Sequence, residues 1–327
     1  MLLLGQAAWA KPAVVIYPGS FDPFHEVHRQ ELTRVMEKLR AAHPEGVSAI
    51  VLPNHDAPVH IPGGHYVFSA AQREKLAALA VADLPAVRVH TPFSSELGTV
   101  SQLERVQAEQ NVGQDVYLLL GYDAYRGLSA WEGHERILKE MNLVVSAPSE
   151  ERARLQSPGE LLGNSGRAFR PIGDGKFESE LGRKILYLDI PVPPLRARTI
   201  LMNLMGHRPV AGMIHPAVGR ELEKRDYESA LELSAKAISR SVKSEIEQTL
   251  GAKLSKRASQ DGALSMALVS LDPQSTPQSL ALLAKRIERQ TRISVSPSRL
   301  ENFARSEAHQ TLFYPKDEAR GAHAASR

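Results

Sequence analysis

Two imidazoles three residues apart, His25 and His28, stand at the end of the string GSFDPFHEVH, which starts at Gly19 where an apolar run breaks. Three residues is close to one helical turn, so both rings share a face if the turn after Pro23 is helical. Gly19 lets a backbone approach closely, Ser20 adds a hydroxyl, and amides from Gly19 to Phe21 and at the helix start point toward a docked anion. Imidazoles beside such amides suit stabilisation of charge on a transferring phosphoryl group. An ordinary pair of histidines near a strand-to-helix turn is the plainer reading of the same residues.

The elements that must position this group follow from periodicity. Residues 13–17 are apolar and β-branched enough for a buried strand, whereas ELTRVMEKLRAA places Leu32, Val35, Met36 and Leu39 on one helical stripe. The turn thus lies at a strand's carboxyl end. Strands are expected at 47–53, 87–92 and 115–121, with helices at 69–82 and from Val100 to Gln110 between them. That alternation predicts an α/β fold, a doubly wound parallel sheet, in which ligands bind beyond the carboxyl ends of the strands. Gly19 and Gly121 both close strands and could face one crevice.

GSFDPFHEVH resembles the GSFDPxHxGH signature of the nucleotidyltransferases, a Rossmann-like family that moves AMP or CMP from a nucleoside triphosphate. GYDAYRGLSAWEGHERILKEMNLVVSAP, from Gly121 to Pro148, is similar to the GxDxxxxLxxWxxWxxIL segment of the bacterial nicotinate-nucleotide adenylyltransferases. The resemblance implies that His25 and His28 are catalytic, that Gly19, Ser20, Phe21, Gly121 and Asp123 bind the nucleotide, and that Trp131 stacks on the nicotinate ring. RARTILMNLMGHRPVAGMIHPAV, from Arg196 to Val218, follows the close of the family's domain and makes Arg198 a candidate phosphate ligand, or else a solvated surface arginine. PNHDAPVH and ELGTVSQL align with two further family segments and bring His60 and Thr99 to the acceptor side. Several positions depart from the pattern: Val27 for glycine, Ile61 (or, with a one-residue shift, His60) for lysine, Ser101 for aspartate, His134 for tryptophan, Arg196, Ala197 and Arg198 for the serines and threonine, and Leu201 for arginine. A β-branched Val27 would crowd anything packed against a glycine there.

The implied reaction is adenylyl transfer from ATP to nicotinate mononucleotide with release of pyrophosphate, ATP serving as substrate and Mg2+ arriving through its phosphates. The departures keep two other readings open: a nucleotide-binding paralogue with lost or altered catalysis, and an adenylyltransferase for another acceptor such as phosphopantetheine, whose family also opens on YPGxFDP.

Composition bounds the rest. A chain of 327 residues with 43% hydrophobic and 24% charged residues is long enough for one large domain or two. The net charge of +3, with no basic stripe interleaved with aromatics, gives no case for nucleic acid; small-molecule partners, ATP and a mononucleotide, are what the resemblance implies, and a homo-oligomer is compatible. The absence of cysteine removes disulfides, thiolate zinc sites and thiol nucleophiles. No stretch offers the roughly 18 apolar residues of a membrane span. The expected compartment is the cytoplasm, with export the alternative if MLLLGQAAWA, residues 1–10, is the remnant of a signal peptide.

The expected organisation is a nucleotidyltransferase-like domain over 11–222, a small α+β or helical appendage over 223–314, and a disordered tail over 315–327. Within the first, residues 151–184 are rich in Gly, Ser and charge and read as a mobile excursion before the next strand; the resemblance implies that it borders the acceptor pocket, as a lid or as an inert insertion. In the appendage, 227–250 and 277–293 have helical spacing, and 263–271 reads as a buried strand.

Overall fold

The computed structural model describes residues 11–55, 66–93, 98–110, 113–147, 156–191, 193, 195, 197–205, 208–241, 247, 277–291 and 294–305. Among these, eight strands form one sheet in the order β3-β2-β1-β4-β5-β8-β7-β6. The strands are β1 (Ala13–Gly19), β2 (Val47–Pro53), β3 (Val87–Val89), β4 (Asp115–Gly121), β5 (Asn142–Ala147), β6 (Phe169–Gly173), β7 (Lys176–Ser179) and β8 (Lys184–Asp189). The run from β3 to β8 is parallel, with β1 between β2 and β4 where the winding reverses. This is the doubly wound sheet that the alternation implies.

Both faces of the sheet are covered, as parallel sheets require. On one face Val14, Ile16, Ile50, Leu52, Val116 and Leu118 pack in a single core with Leu103 and Val106 of α3 (Thr99–Ala108) and Ile137 of α5 (His134–Glu140). The alternate β1 positions Val15 and Tyr17 are buried on the other face, on the side of α1 (Glu26–Arg40), whose Leu32, Val35 and Met36 form the expected stripe. Between β2 and β3 lies α2 (Ala70–Val81), its start capped by Ser69, which accepts from the Gln72 amide.

The sheet departs from the sequence expectation beyond β5. Residues 158–179 are not a bare excursion: they carry α6 (Pro158–Leu161), α7 (Gly163–Arg167) and a β6–β7 hairpin that runs antiparallel and extends the sheet past β8. The hairpin turns at Asp174–Gly175, and Gly175 has φ +65°, which its missing side chain permits. The Asp-Gly pair was a hairpin signal that the surrounding polar composition masked. β3 is also shorter than the expected 87–92.

The chain divides into two compact units. The first is residues 1–197 together with 212–218, and the second is 198–211 together with 219–327. Because 212–218 returns to the first unit, the chain passes between the units three times. The described elements of the second are helical: most of α8 (Ala197–Met205), the last residues of α9 (Pro216–Leu222), α10 (Arg225–Ser241), α11 (Pro277–Thr291) and α12 (Pro297–Arg305). The strand expected at 263–271 and the tail at 315–327 lie outside the described residues.

Candidate active site

The crevice of this sheet forms where two adjacent strands part. β1 pairs with β4 only as far as Ile16 and Leu118, yet β1 continues beside β2 to Gly19 and β4 beside β5 to Gly121. The two strand ends therefore splay at the reversal of winding, the place where open α/β sheets take ligands. Gly19 and Gly121 close the two lips, as their positions in the sequence implied.

The turn after Gly19 is tightly packed. Phe21 is buried at φ +45°, a left-handed conformation rare for a bulky residue, and its ring lies against Gly19. A Cβ on Gly19 would come 2.7 Å from that ring, so the glycine makes room for Phe21 rather than for a ligand. Phe21 also meets Tyr17, Phe24 and His28 at 5.0 to 5.2 Å between ring centroids. The peptide between Asp22 and Pro23 is cis. The Asp22 carboxylate accepts from the amides of Val67 and Phe68 at 2.8 and 3.1 Å, which ties the turn to the approach of α2.

His25 and His28 come together as the spacing implied. His25 occupies the N-cap of α1 and His28 the end of its first turn, and the rings stack with centroids 3.6 Å apart. The His25 amide donates to Nδ1 of His28 at 3.3 Å, which leaves the His28 ring proton on Nε2. His25 is 3% exposed, and its Nδ1 is buried without a hydrogen-bond partner. Burial lowers the His25 pKa to about 4, and burial together with the neighbouring ring holds His28 well below the usual imidazole range. Both imidazoles are neutral near pH 7. They can donate to or accept from a phosphate, and an incoming anion would favour their protonation.

The amides at the helix start are less free than the sequence suggests. The His25 amide is engaged by His28, and the Glu26 amide donates to the Met213 carbonyl at 2.9 Å. Met213 lies nearly 190 residues further along the chain, and no local pattern announces this hydrogen bond. Val27 is buried in the first turn of α1.

Beneath the rings lies a polar cluster that sequence reasoning missed. Glu31, one turn after His28, is buried and accepts from the Tyr17 hydroxyl and from Ser146 at the end of β5. Burial raises the Glu31 pKa, the two hydrogen bonds oppose the rise, and the charge of Asp123 adds to it. Burial likewise pushes Tyr17 well above the usual phenol value, with Glu31 and Asp123 reinforcing it. Asp123 thus lies close enough to the floor of the crevice to be felt there. The residue itself is exposed in the first turn of α4 (Tyr122–Arg126), where it accepts from the Ala124 amide at 2.8 Å.

The other sequence candidates fall as follows. Ser20 is exposed, with its hydroxyl 3.3 Å from that of Tyr66. Trp131 is partly buried against the core and its carbonyl accepts from the His134 amide at 3.1 Å. Thr99 opens α3, and Ser101 follows in the same turn. Arg198 belongs to the second unit, and its side chain, like all of His60, Ile61 and Arg196, lies outside the described residues. Among the described residues no group of three His, Asp or Glu could hold a metal ion, and no helix is long and apolar enough to cross a membrane.

A second missed residue is Arg73, which is fully buried on α2. The signal was its spacing: Arg73, Leu76, Ala77 and Ala80 share the helix's apolar face, and all are buried.

Comparison with known proteins bears on the family. The Cytidylyltransferase-like family model matches residues 16–164. A Helicobacter pylori protein named "probable nicotinate-nucleotide adenylyltransferase" is 30% identical over 134 residues, 40% of this chain and 72% of that protein. The enzyme of the same name from Pseudomonas paraeruginosa is 28% identical over 195 residues, 58% of this chain and 85% of the relative. Among solved structures, the nicotinic acid mononucleotide adenylyltransferase of Plasmodium falciparum complexed with NaAD is 14% identical, covering 67% of this chain and 98% of its own with a TM-score of 0.46. The stacked histidine pair at a strand-to-helix turn and the second motif at the facing strand thus sit in a chain that belongs to the nicotinate-nucleotide adenylyltransferase family of cytidylyltransferase-like nucleotidyltransferases.

Proposed function

We propose that the protein transfers the adenylyl group of ATP to nicotinate mononucleotide, forming the dinucleotide precursor of NAD and pyrophosphate. The observation that carries this reading is the His25–His28 stack, seated at the parting of β1 and β4 with an unpartnered imidazole nitrogen buried in it.

A phosphate oxygen of the mononucleotide attacks the α-phosphorus of ATP, the bond from that phosphorus to the bridging oxygen breaks, and pyrophosphate leaves. No bond to the protein forms, so the chain's contribution is alignment and charge stabilisation. Magnesium enters as part of the MgATP substrate. His28 donates from Nε2 to the triphosphate and His25 takes up a proton as negative charge approaches its ring. Ser20 supports the phosphates, Asp123 accepts from a ribose hydroxyl of the nucleotide, and Trp131 stacks on the pyridine ring of the acceptor. The names of the relatives and the two motifs support nicotinate mononucleotide over phosphopantetheine.

One observation favours a second reading, a nucleotide-binding protein without turnover: two amides at the start of α1 are already engaged within the chain. Pyrophosphate release from MgATP separates the two. With nicotinate mononucleotide the wild type should release pyrophosphate, phosphopantetheine should give none above the acceptor-free rate, and His25→Ala should lower release about 100-fold or more. ATP binding with no release above the His25→Ala background for either acceptor would leave the binding reading.

A further inference from the structure

Arg73 is fully buried, and its guanidinium spends each nitrogen on a different stretch of backbone. Nη1 donates to the Ser20 carbonyl at 2.6 Å, Nη2 to the Asn54 carbonyl at 2.6 Å and Nε to the Phe68 carbonyl at 3.1 Å. The Tyr66 ring covers the guanidinium at 4.0 Å. Those three carbonyls belong to the turn after β1, the end of β2 and the approach to α2. The same three stretches are joined in the other direction, because Asp22 accepts from Val67 and Phe68 and the Asn54 amide donates to the Gly19 carbonyl at 2.9 Å.

We propose that Arg73 is the positioning residue of the active-site turn: its planar fork, with Asp22 as the counter-anchor, fixes residues 19–22 and so sets where His25 and His28 meet a phosphate. The assignment deepens the adenylyl-transfer reading and rests on it for the chemistry, but not for the geometry. The turn needs such an anchor. It carries a bulky residue at positive φ, and it lies beyond the point where β1 loses its pairing to β4. A rigid fork meets three carbonyls in one plane, whereas a lysine offers one point charge on a flexible stem. The charge alone therefore does not replace the function.

Arg73→Lys tests this, because it keeps the charge and removes the fork. Amide hydrogen exchange should quicken about tenfold or more at Asn54, Val67 and Phe68, while Leu118 to Leu120 in β4 keep their protection. In adenylyl transfer, kcat should fall about 10- to 100-fold with KM for the mononucleotide within about threefold, as expected when the reacting groups are displaced and substrate binding is preserved. Asp22→Asn, a milder change to the same anchor, should quicken exchange at Val67 and Phe68 and lower kcat in the same sense if the lysine variant fails to fold.

Exchange and kcat at wild-type values in Arg73→Lys would overturn the assignment and leave the proposed reaction standing. Faster exchange in β4 to the same degree as at the turn would also overturn it, by making Arg73 a general stability residue. Should the wild type transfer no adenylyl group, the proposed reaction falls, and the exchange pattern alone still decides the role of Arg73.

Discussion

Histidines lie buried at both ends of β1, and the two ends treat them differently. His43, near the amino end of the sheet, has both ring nitrogens engaged: Nδ1 with the Lys11 carbonyl at 2.8 Å and Nε2 with the Tyr117 hydroxyl at 2.9 Å. His25, at the carboxyl end, is as deeply buried and keeps Nδ1 without a partner. A satisfied buried ring is scaffolding, because its hydrogen bonds join the segment after α1 to the segment before β1 and to β4. An unsatisfied one costs stability and persists where something from outside completes it. One ring is committed to the fold, and the other keeps a nitrogen that no protein group engages among the described residues.

The largest test of this contrast is kinetic. His28→Ala should reduce adenylyl transfer by about 100- to 1000-fold per folded molecule, with a fall in melting temperature as well, since its ring packs against Phe21, Phe24 and His25. Comparable losses of activity per folded molecule in His28→Ala and His43→Ala would erase the distinction.

Stability against pH gives the next effect. His25 binds its proton near pH 4 in the folded chain and near 6.5 when unfolded. Below 6.5 the unfolded chain therefore holds more protons, and folding stability falls as pH drops from about 6.5 to about 4, by about 3 kcal/mol at most from this ring. His28 adds in the same direction. Glu31 works oppositely: its raised pKa keeps it protonated in the folded chain above pH 4.5, so it withdraws stability as pH rises. Urea titrations between pH 4 and 8 should show the acid limb flattened in His25→Ala and the alkaline decline reduced in Glu31→Gln. Wild-type curves in both variants would refute the charge states assigned to the site.

At the other end of β1, His43→Ala should cost about 2 kcal/mol, seen as a fall in melting temperature of roughly 5 °C, with kcat unchanged. The smallest effect belongs to a pair that is part of neither region. Arg170 and Glu180 meet at 3.0 Å on the exposed hairpin, and Arg170→Ala should change stability by less than about 0.5 kcal/mol in the same titrations.

The sequence disclosed what repeats or recurs locally. The period-2 strands, the stripe on α1 and the histidine spacing each follow from neighbours within a turn or two. What stayed hidden depends on partners far along the chain: Met213 at the Glu26 amide, Ser146 beside Glu31, and Asn54 at the guanidinium of Arg73. Gly19 is a mixed case. Its position at a strand end was legible, but its neighbour is Phe21, because only the folded turn reveals which group fills the space. The β6–β7 hairpin was missed for a different reason: at the edge of the sheet only Phe169 and Phe177 meet the core, and the polar residues around them hide the pattern.

The return of residues 212–218 to the first unit has a practical and an evolutionary side. A stop codon placed after residue 197 would discard more than the helices of the second unit. It would also remove Met213 and strip the Glu26 amide of its carbonyl at the mouth of the crevice. The second unit therefore cannot be trimmed as a cassette. Shuffling it onto or off such a scaffold would need two splice points, one on each side of a seven-residue loan.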